Sequence, residues 1–298
     1  MSMALTDSTR SETLTEDARD FRKVMIQLWY PADIAGDGNT VPYIGDELTA
    51  SLARLHLKGL GIEGNINRAI QAYGTEDAPV SESTATFPVL LFSPGFGLPS
   101  TFYRSIVGDI VSHGYVVAAI NHPHFSGITV FPDGSLVPSV EIEDPGDFSS
   151  AYFDIVLADV KFVVDVLKGL EPGHDLYGRL DLSGFGIYGH SLGGAVAIQT
   201  AREIPECKAA LSMDGWHPDL QYAHDNLEIP LFFLLSQEES SSPIGMPPDS
   251  TYGSQTRYLA ILNGASHIGF IDLPYMVDKP VSPARQLGTI DPNTMRAT

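Results

Sequence analysis

One short stretch constrains this chain more than any other: Gly189-His190-Ser191-Leu192-Gly193, a G-x-S-x-G pattern followed at once by Gly194. It lies between a short apolar run, Leu182 to Tyr188, and the small-residue helical pattern Ala195 to Ala201. A serine on a sharp strand-to-helix turn needs glycine on both sides, because a Cβ there would collide with the neighbouring strand and helix. Such a turn lifts the Ser191 hydroxyl above the sheet edge. It also sets the hydroxyl at a helix N-terminus, where backbone N–H groups and the dipole favour a developing oxyanion. The bare pattern also occurs in ordinary loops, and the strand and helix on its flanks give it weight.

The rest of the chain supplies the expected surroundings. Phe21 to Tyr30 alternates polar and apolar and stops at Pro31, the mark of an early antiparallel strand. Phe87 to Phe92 and Tyr115 to Ile120 are continuous apolar runs, as in strands buried on both faces. Helical spacing over Phe102 to Ser112 and Asp154 to Leu170 interleaves with them. Further strands follow the serine turn at Ala209 to Met213, Pro230 to Leu235 and Tyr258 to Leu262. Strands alternating with helices predict an α/β fold: a mostly parallel sheet flanked by helices on both faces, in one domain over 1–298. Residues 1–20 are expected to be flexible, with the acidic tract Glu12 to Asp20 solvated. Residues 45–75 are read as two short helices forming a cap or flank, and the Pro- and Gly-rich segment 121–149 as a pocket loop.

Composition excludes several classes. Asp and Glu number 37 against 17 Lys and Arg, a net charge of −20, which repels nucleic acid and anionic membranes. No run approaches the length of a membrane span. The lone Cys207 has no partner for an intramolecular disulfide and reads as a small core residue. No C-x-x-C or H-E-x-x-H pattern points to a metal, and no cofactor is called for. As written, with no apolar leader over 1–20, the chain reads as cytoplasmic; secretion stays open if the sequence starts inside a longer one.

A serine hydroxyl needs a base to take its proton and a carboxylate to orient that base. In this architecture the order along the chain is Ser, acid, His. His190, His217, His224 and His267 lie at or beyond the turn. His190 adjoins the serine and reads as a support beneath it, and His217 and His224 as packing or solvent residues. His267 follows the last strand in a small-residue turn at the carboxyl edge of the sheet, where ligands bind, and is the expected general base. Two acids compete. Asp214, in Met213-Asp214-Gly215-Trp216, directly follows one strand, and Glu238 and Glu239 follow the next; strand-end position favours Asp214. The oxyanion donors are expected to be the N–H groups of Leu192, just after the nucleophile, and of Phe96, in Ser93-Pro94-Gly95-Phe96-Gly97. Gly95, Phe125, Trp216 and Phe270 are the expected pocket residues.

Taken together in order, five segments resemble the plasma, or type II, platelet-activating-factor acetylhydrolase family and its bacterial and fungal esterase relatives. They are Val24 to Pro31, Leu91 to Gly97, Gly189 to Gly193, Met213 to Trp216, and His267 to Asp272. Asn121-His122-Pro123 with Phe131-Pro132-Asp133-Gly134 looks like the microbial branch. The resemblance implies an α/β-hydrolase fold and a Ca²⁺-independent serine esterase. It also raises Asp214 above Glu238 and supports Phe96 and Leu192 as oxyanion donors. Leu5 to Arg10 looks like part of the family's opening strands. Pro94 stands where the animal enzymes carry histidine, so their phospholipid preference is not implied.

The function expected is hydrolysis of a small-molecule or lipid ester with a short acyl chain, the aromatic pocket residues being the reason for short. Acyl transfer, cyclisation or lactone opening with the same triad is an alternative, and a non-catalytic ligand-binding scaffold a third.

Overall fold

The computed structural model describes residues 1–33, 41–43, 47–59, 71–72, 74–141, 150–215, 229–240, 257–276 and 288. Eight strands form the central sheet. They are β1 (Ser2–Ser11) and β2 (Phe21–Trp29), then, after the two-residue pair β3 (Val41–Pro42) and β4 (Gln71–Ala72), β5 (Phe87–Ser93) and β6 (Val116–Asn121). The hairpin β7 (Ile128–Val130) and β8 (Leu136–Pro138) stands outside the sheet, which continues with β9 (Leu180–His190), β10 (Cys207–Met213), β11 (Leu231–Ser236) and β12 (Arg257–Leu262). The order is β1-β2-β6-β5-β9-β10-β11-β12. β2 is antiparallel to both its neighbours, and the pairings from β6 to β12 are parallel.

The period of two along each central strand sorts its side chains onto two cores. Val89, Leu91, Val116, Ala118 and Ile120 join α3 (Ser150–Lys168) and α4 (Leu192–Glu203) on one face. Phe92, Val117 and Ala119 join α1 (Glu47–Gly59), α2 (Arg104–Ser112) and the Phe270–Leu273 segment on the other. Two single turns, α5 (Gln237–Ser240) and α6 (Leu273–Met276), complete the described α-helices. The chain leaves β5 toward β6 on one side and returns as β9 on the other. The carboxyl ends of β5 and β9 therefore flank the point where strand order reverses, and Ser93 pairs there with Gly189.

The expectation of a flexible amino terminus is corrected, while Leu5 to Arg10 lies in a strand as the resemblance implies. Ser2–Ser11 is a strand zipped onto β2 from Ser2↔Gln27 to Asp7↔Arg22, and Leu5, Asp7 and Glu12 are buried. Its polar composition hides it: beside Met3 and Leu5 the inward face carries Asp7, a carboxylate paired with Arg10. Arg22, fully buried on β2, donates to Glu12 at 2.9 Å and to Asp159 of α3 at 2.6 and 3.0 Å. Arg10 of β1 reaches Asp7 at 2.6 Å and Asp159 at 2.9 Å. Residues 15–20 are exposed, so the solvated reading holds for that part of the tract. The 45–75 segment supplies one described helix, α1, while 60–70 and 73 lie outside the described residues. The 121–149 segment begins with a tight turn and the β7–β8 hairpin, and 142–149 lie outside the described residues.

Candidate active site

The serine turn has the geometry its glycines require. Ser191 has φ 53° and ψ −121°, a conformation costly to a side-chain-bearing residue, held because neighbours leave no alternative. A Cβ on Gly189 would stand 2.3 Å from Gly193, and one on Gly193 would stand 2.0 Å from the Ser93 carbonyl oxygen. Gly194 and Gly215 make the same close approach, each blocking a Cβ on the other. The Ser191 N–H donates to the Met213 carbonyl at 2.8 Å, tying the turn to the end of β10. Ser191 thus stands at the start of α4, on the carboxyl edge of the sheet.

Asp214 comes one residue after β10, in a left-handed conformation (φ 49°), with its N–H on the Leu234 carbonyl at 3.0 Å. Its buried carboxylate is held from two sides. Oδ1 accepts the Ser236 N–H at 2.5 Å, and Oδ2 faces His267 Nδ1 at 3.3 Å. The bond to Nδ1 fixes the imidazole tautomer and leaves Nε2 as the acceptor. Glu238, the rival acid, binds the same residue differently. Its Oε2 accepts the His267 backbone N–H at 3.0 Å, so it holds the loop while Asp214 holds the ring.

His190 is the support beneath the turn, and a chain of polar contacts runs through it. Its Nε2–H donates to the His267 carbonyl at 2.9 Å, and Nδ1 accepts the Tyr103 hydroxyl at 2.8 Å. Tyr103 in turn accepts the Gly95 N–H at 3.3 Å. Burial, and secondarily the neighbouring His267, hold His190 well below the usual histidine pKa, and this bonding pattern is that of a neutral ring. The chain links the Gly95 turn, the residue before Ser191 and the His267 loop. Tyr103 was missed in the sequence because a tyrosine in an amphipathic stretch reads as core; nothing in the periodicity marks its hydroxyl.

Gly95 lies against the serine: a Cβ there would stand 3.3 Å from Ser191 Cβ and 3.0 Å from His190 Nδ1. Its neighbour Phe96 packs against Phe125 with ring centroids 6.5 Å apart. Leu192 is the first residue of α4 and is buried. Phe270 is buried, its ring 5.7 Å from that of His190. Phe125 sits deeper than a pocket wall should. It is 1% exposed, part of the α3–α4 core, with Tyr152 beside it and the Arg22 guanidinium 5.7 Å from its ring centre. Trp216, His217 and His224 lie outside the described residues. Cys207 is buried, which pushes its thiol up to about 11, as for an inert core cysteine. No set of three His, Cys, Asp or Glu able to hold a metal occurs among the described residues.

Asp272, the last residue of the His267 segment, carries no mark of its role in the sequence. It accepts the Ser105 N–H at 2.8 Å and the hydroxyls of Ser105 and Tyr43, while its own N–H donates to Phe102 at 2.7 Å. It fastens the His267–Asp272 segment to the start of α2. Burial outweighs these bonds and raises its carboxyl to about 6.

The model of the family described as platelet-activating factor acetylhydrolase, isoform II, matches residues 11–137 and 158–297. The chain belongs to that family. A platelet-activating factor acetylhydrolase from Cavia porcellus is 28% identical over 234 residues, 69% of this chain and 53% of that protein. Cutinase est1 from Thermobifida alba is 24% identical over 187 residues, 61% of this chain and 54% of its own. The chain spans about half the length of the curated relatives it matches. A ferulic acid esterase structure from Streptomyces cinnamoneus superposes with a TM-score of 0.77 at 25% identity, covering 99% of this chain and 84% of that one. The sheet order and flanking helices are those of an α/β-hydrolase. Among the described residues no helix is long and apolar enough to cross a membrane.

Proposed function

We propose that this chain is a serine carboxylic-ester hydrolase acting through an acyl-enzyme. The observation that carries the proposal is the approach of Asp214 Oδ2 to His267 Nδ1 at 3.3 Å beside a serine held at positive φ at a helix start. Ser191 Oγ attacks the ester carbonyl carbon as its proton passes to His267 Nε2. The carbonyl oxygen gains the charge and lies against the N–H groups of Leu192 and Phe96. Collapse of the tetrahedral intermediate breaks the bond to the alcohol oxygen, which takes the proton from His267. Water, deprotonated by the same imidazole, then attacks the acyl-enzyme and releases the acid and Ser191. Asp214 stabilises the imidazolium at both stages.

Phe96, next to the Gly95 that lies against the serine, and Phe270, packed on His190, favour a short acyl group. The names of the relatives, an acetylhydrolase and a cutinase among them, support water as the acyl acceptor. Hydrolysis of p-nitrophenyl esters from C2 to C12 by wild type and Ser191→Ala tests the reading. Turnover that peaks at C2–C4 and falls at least about 10⁴-fold in the variant is expected. Undiminished turnover by Ser191→Ala would refute it.

A further inference from the structure

Behind the serine turn lies a second Ser-His-Asp array that no substrate can reach. Ser93 Oγ is 3.1 Å from His122 Nε2, and His122 Nδ1 is 3.0 Å from Asp159 Oδ2. Exposure is 0% for Ser93, 1% for His122 and 0% for Asp159. The direction of its protons follows from the charges. Burial would raise Asp159, yet Arg22 and the His122 bond bring it to about 2, so its carboxylate accepts the Nδ1 proton. Burial holds the His122 imidazole below its ordinary value despite the Asp159 bond, so Nε2 accepts the Ser93 hydroxyl. A nucleophile sealed from solvent has no chemistry of its own, which leaves the question of what the array holds in place.

It holds the strand end that carries the oxyanion turn. Ser93 is the last residue of β5, its carbonyl oxygen 2.0 Å from where a Gly193 Cβ would be, and Pro94-Gly95-Phe96 follows directly. The loop that carries His122 grips the same turn at two further points. The Phe125 carbonyl accepts the Gly97 N–H at 2.6 Å, and Asn121 Oδ1 accepts the Ser100 N–H at 2.7 Å. That loop is itself rigid: Ser126 Oγ accepts the His122 N–H at 2.8 Å, and the N–H groups of Phe125 and Ser126 return to the His122 carbonyl at 2.8 and 2.9 Å. Asp159, locked by Arg22 and Arg10, fixes the ring from the helix side.

We propose that His122, oriented by Asp159, is a positioning residue for the oxyanion turn, acting through the Ser93 hydroxyl on the placement of Phe96 relative to Ser191. This rests on the esterase reading above. A turn displaced by a few tenths of an ångström weakens a bond made to the tetrahedral intermediate while leaving the bound ester little changed. The signature is therefore a loss in kcat at nearly constant KM.

The test measures p-nitrophenyl acetate hydrolysis, and inhibition by an aryl trifluoromethyl ketone, for wild type, Ser191→Ala, Ser93→Ala, His122→Leu and the double variant Ser93→Ala/His122→Leu. Each single variant is expected to lose about tenfold or more in kcat with KM within about twofold. The ketone's Ki should rise by the same factor. The double variant should lose no more than the worse single, because both substitutions break the same Ser93–His122 bond. If His122→Leu does not fold, Ser93→Ala, which removes one oxygen, decides alone by its kcat and Ki. Wild-type kcat in folded Ser93→Ala, or losses that multiply in the double variant, would overturn the inference alone. A wild type that fails to hydrolyse esters, or a Ser191→Ala that still does, would overturn the esterase reading and this inference with it.

Discussion

Exchanging Asp214 for asparagine puts the acid assignment to the sharpest trial. In the Asp214 slot the Ser236 N–H points at Oδ1 from 2.5 Å and requires an acceptor there. An asparagine must therefore keep its oxygen at that position and turn its NH₂ toward His267 Nδ1, 3.3 Å away at the Oδ2 site. Two donors cannot share that contact, so Nδ1 gives up its hydrogen and Nε2 takes it. A protonated Nε2 in a neutral ring cannot accept the Ser191 proton. The expected loss in kcat is about 10⁴-fold, equivalent to about 5.5 kcal/mol of transition-state stabilisation. Glu238→Gln is the matched control. Its side-chain oxygen still accepts the His267 N–H, now at 3.0 Å from a carboxylate, and kcat should stay within about threefold. Steady-state kinetics on p-nitrophenyl acetate, with thermal melts to confirm folding of both variants, make the comparison. Near-normal kcat in Asp214→Asn together with collapse in Glu238→Gln would refute the reasoning and move the acid to Glu238.

Other consequences follow from packing and charge. Gly193→Ala must push a methyl into the Ser93 and Pro94 carbonyl oxygens, at 2.0 and 2.6 Å, so urea unfolding should show a loss of about 1–3 kcal/mol or more and esterase activity should vanish. Arg22→Met leaves Glu12 and Asp159 buried with one cation fewer. Chemical denaturation should register a loss of about 3–5 kcal/mol, and an unchanged midpoint would sink the view of this cluster as an anchor of β1. Asp159, at about 2 when folded against 3.8 unfolded, contributes stability that is present above pH 4. That share, about 2 kcal/mol, should fade between pH 4 and 2 in acid titrations. Asp272 has the opposite sign. Its folded value of about 6 lies above 3.8, so its contribution is complete below pH 4 and lost as pH rises through 6. Asp272→Asn should lack the roughly 3 kcal/mol decline between pH 4 and 7.5 that wild type shows.

The contrast between Ser191 and Ser93 explains which parts of this molecule could be read from the chain. Ser191 was legible because its geometry demands glycines: residues 189, 193 and 194 have no room for a Cβ, and that steric demand is written in the sequence as a spacing. The central strands were legible for a similar reason. A strand buried on both faces must be apolar throughout, and Val116 to Ile120 obeys. That Asp214 and His267 come together, 3.3 Å apart, was legible from position, since strand ends at one sheet edge meet whatever their separation in the chain. The Ser93–His122–Asp159 array makes no such demand on its neighbours. Its three residues lie 29 and 37 positions apart, joined by hydrogen bonds that fix no local spacing. β1 was legible only through the family resemblance of Leu5 to Arg10; its composition is polar because Arg22 and Asp159 arrive from elsewhere in the chain to pair with Glu12 and Arg10. Backbone constraints leave local marks in a sequence, whereas a polar network leaves residues that each look ordinary alone. In this protein those networks reach the Pro94–Gly97 turn through Ser93 and Tyr103 and the His267 loop through His190, Glu238 and Asp272. The parts least visible in the sequence are therefore the ones that set the distances between the groups most visible in it.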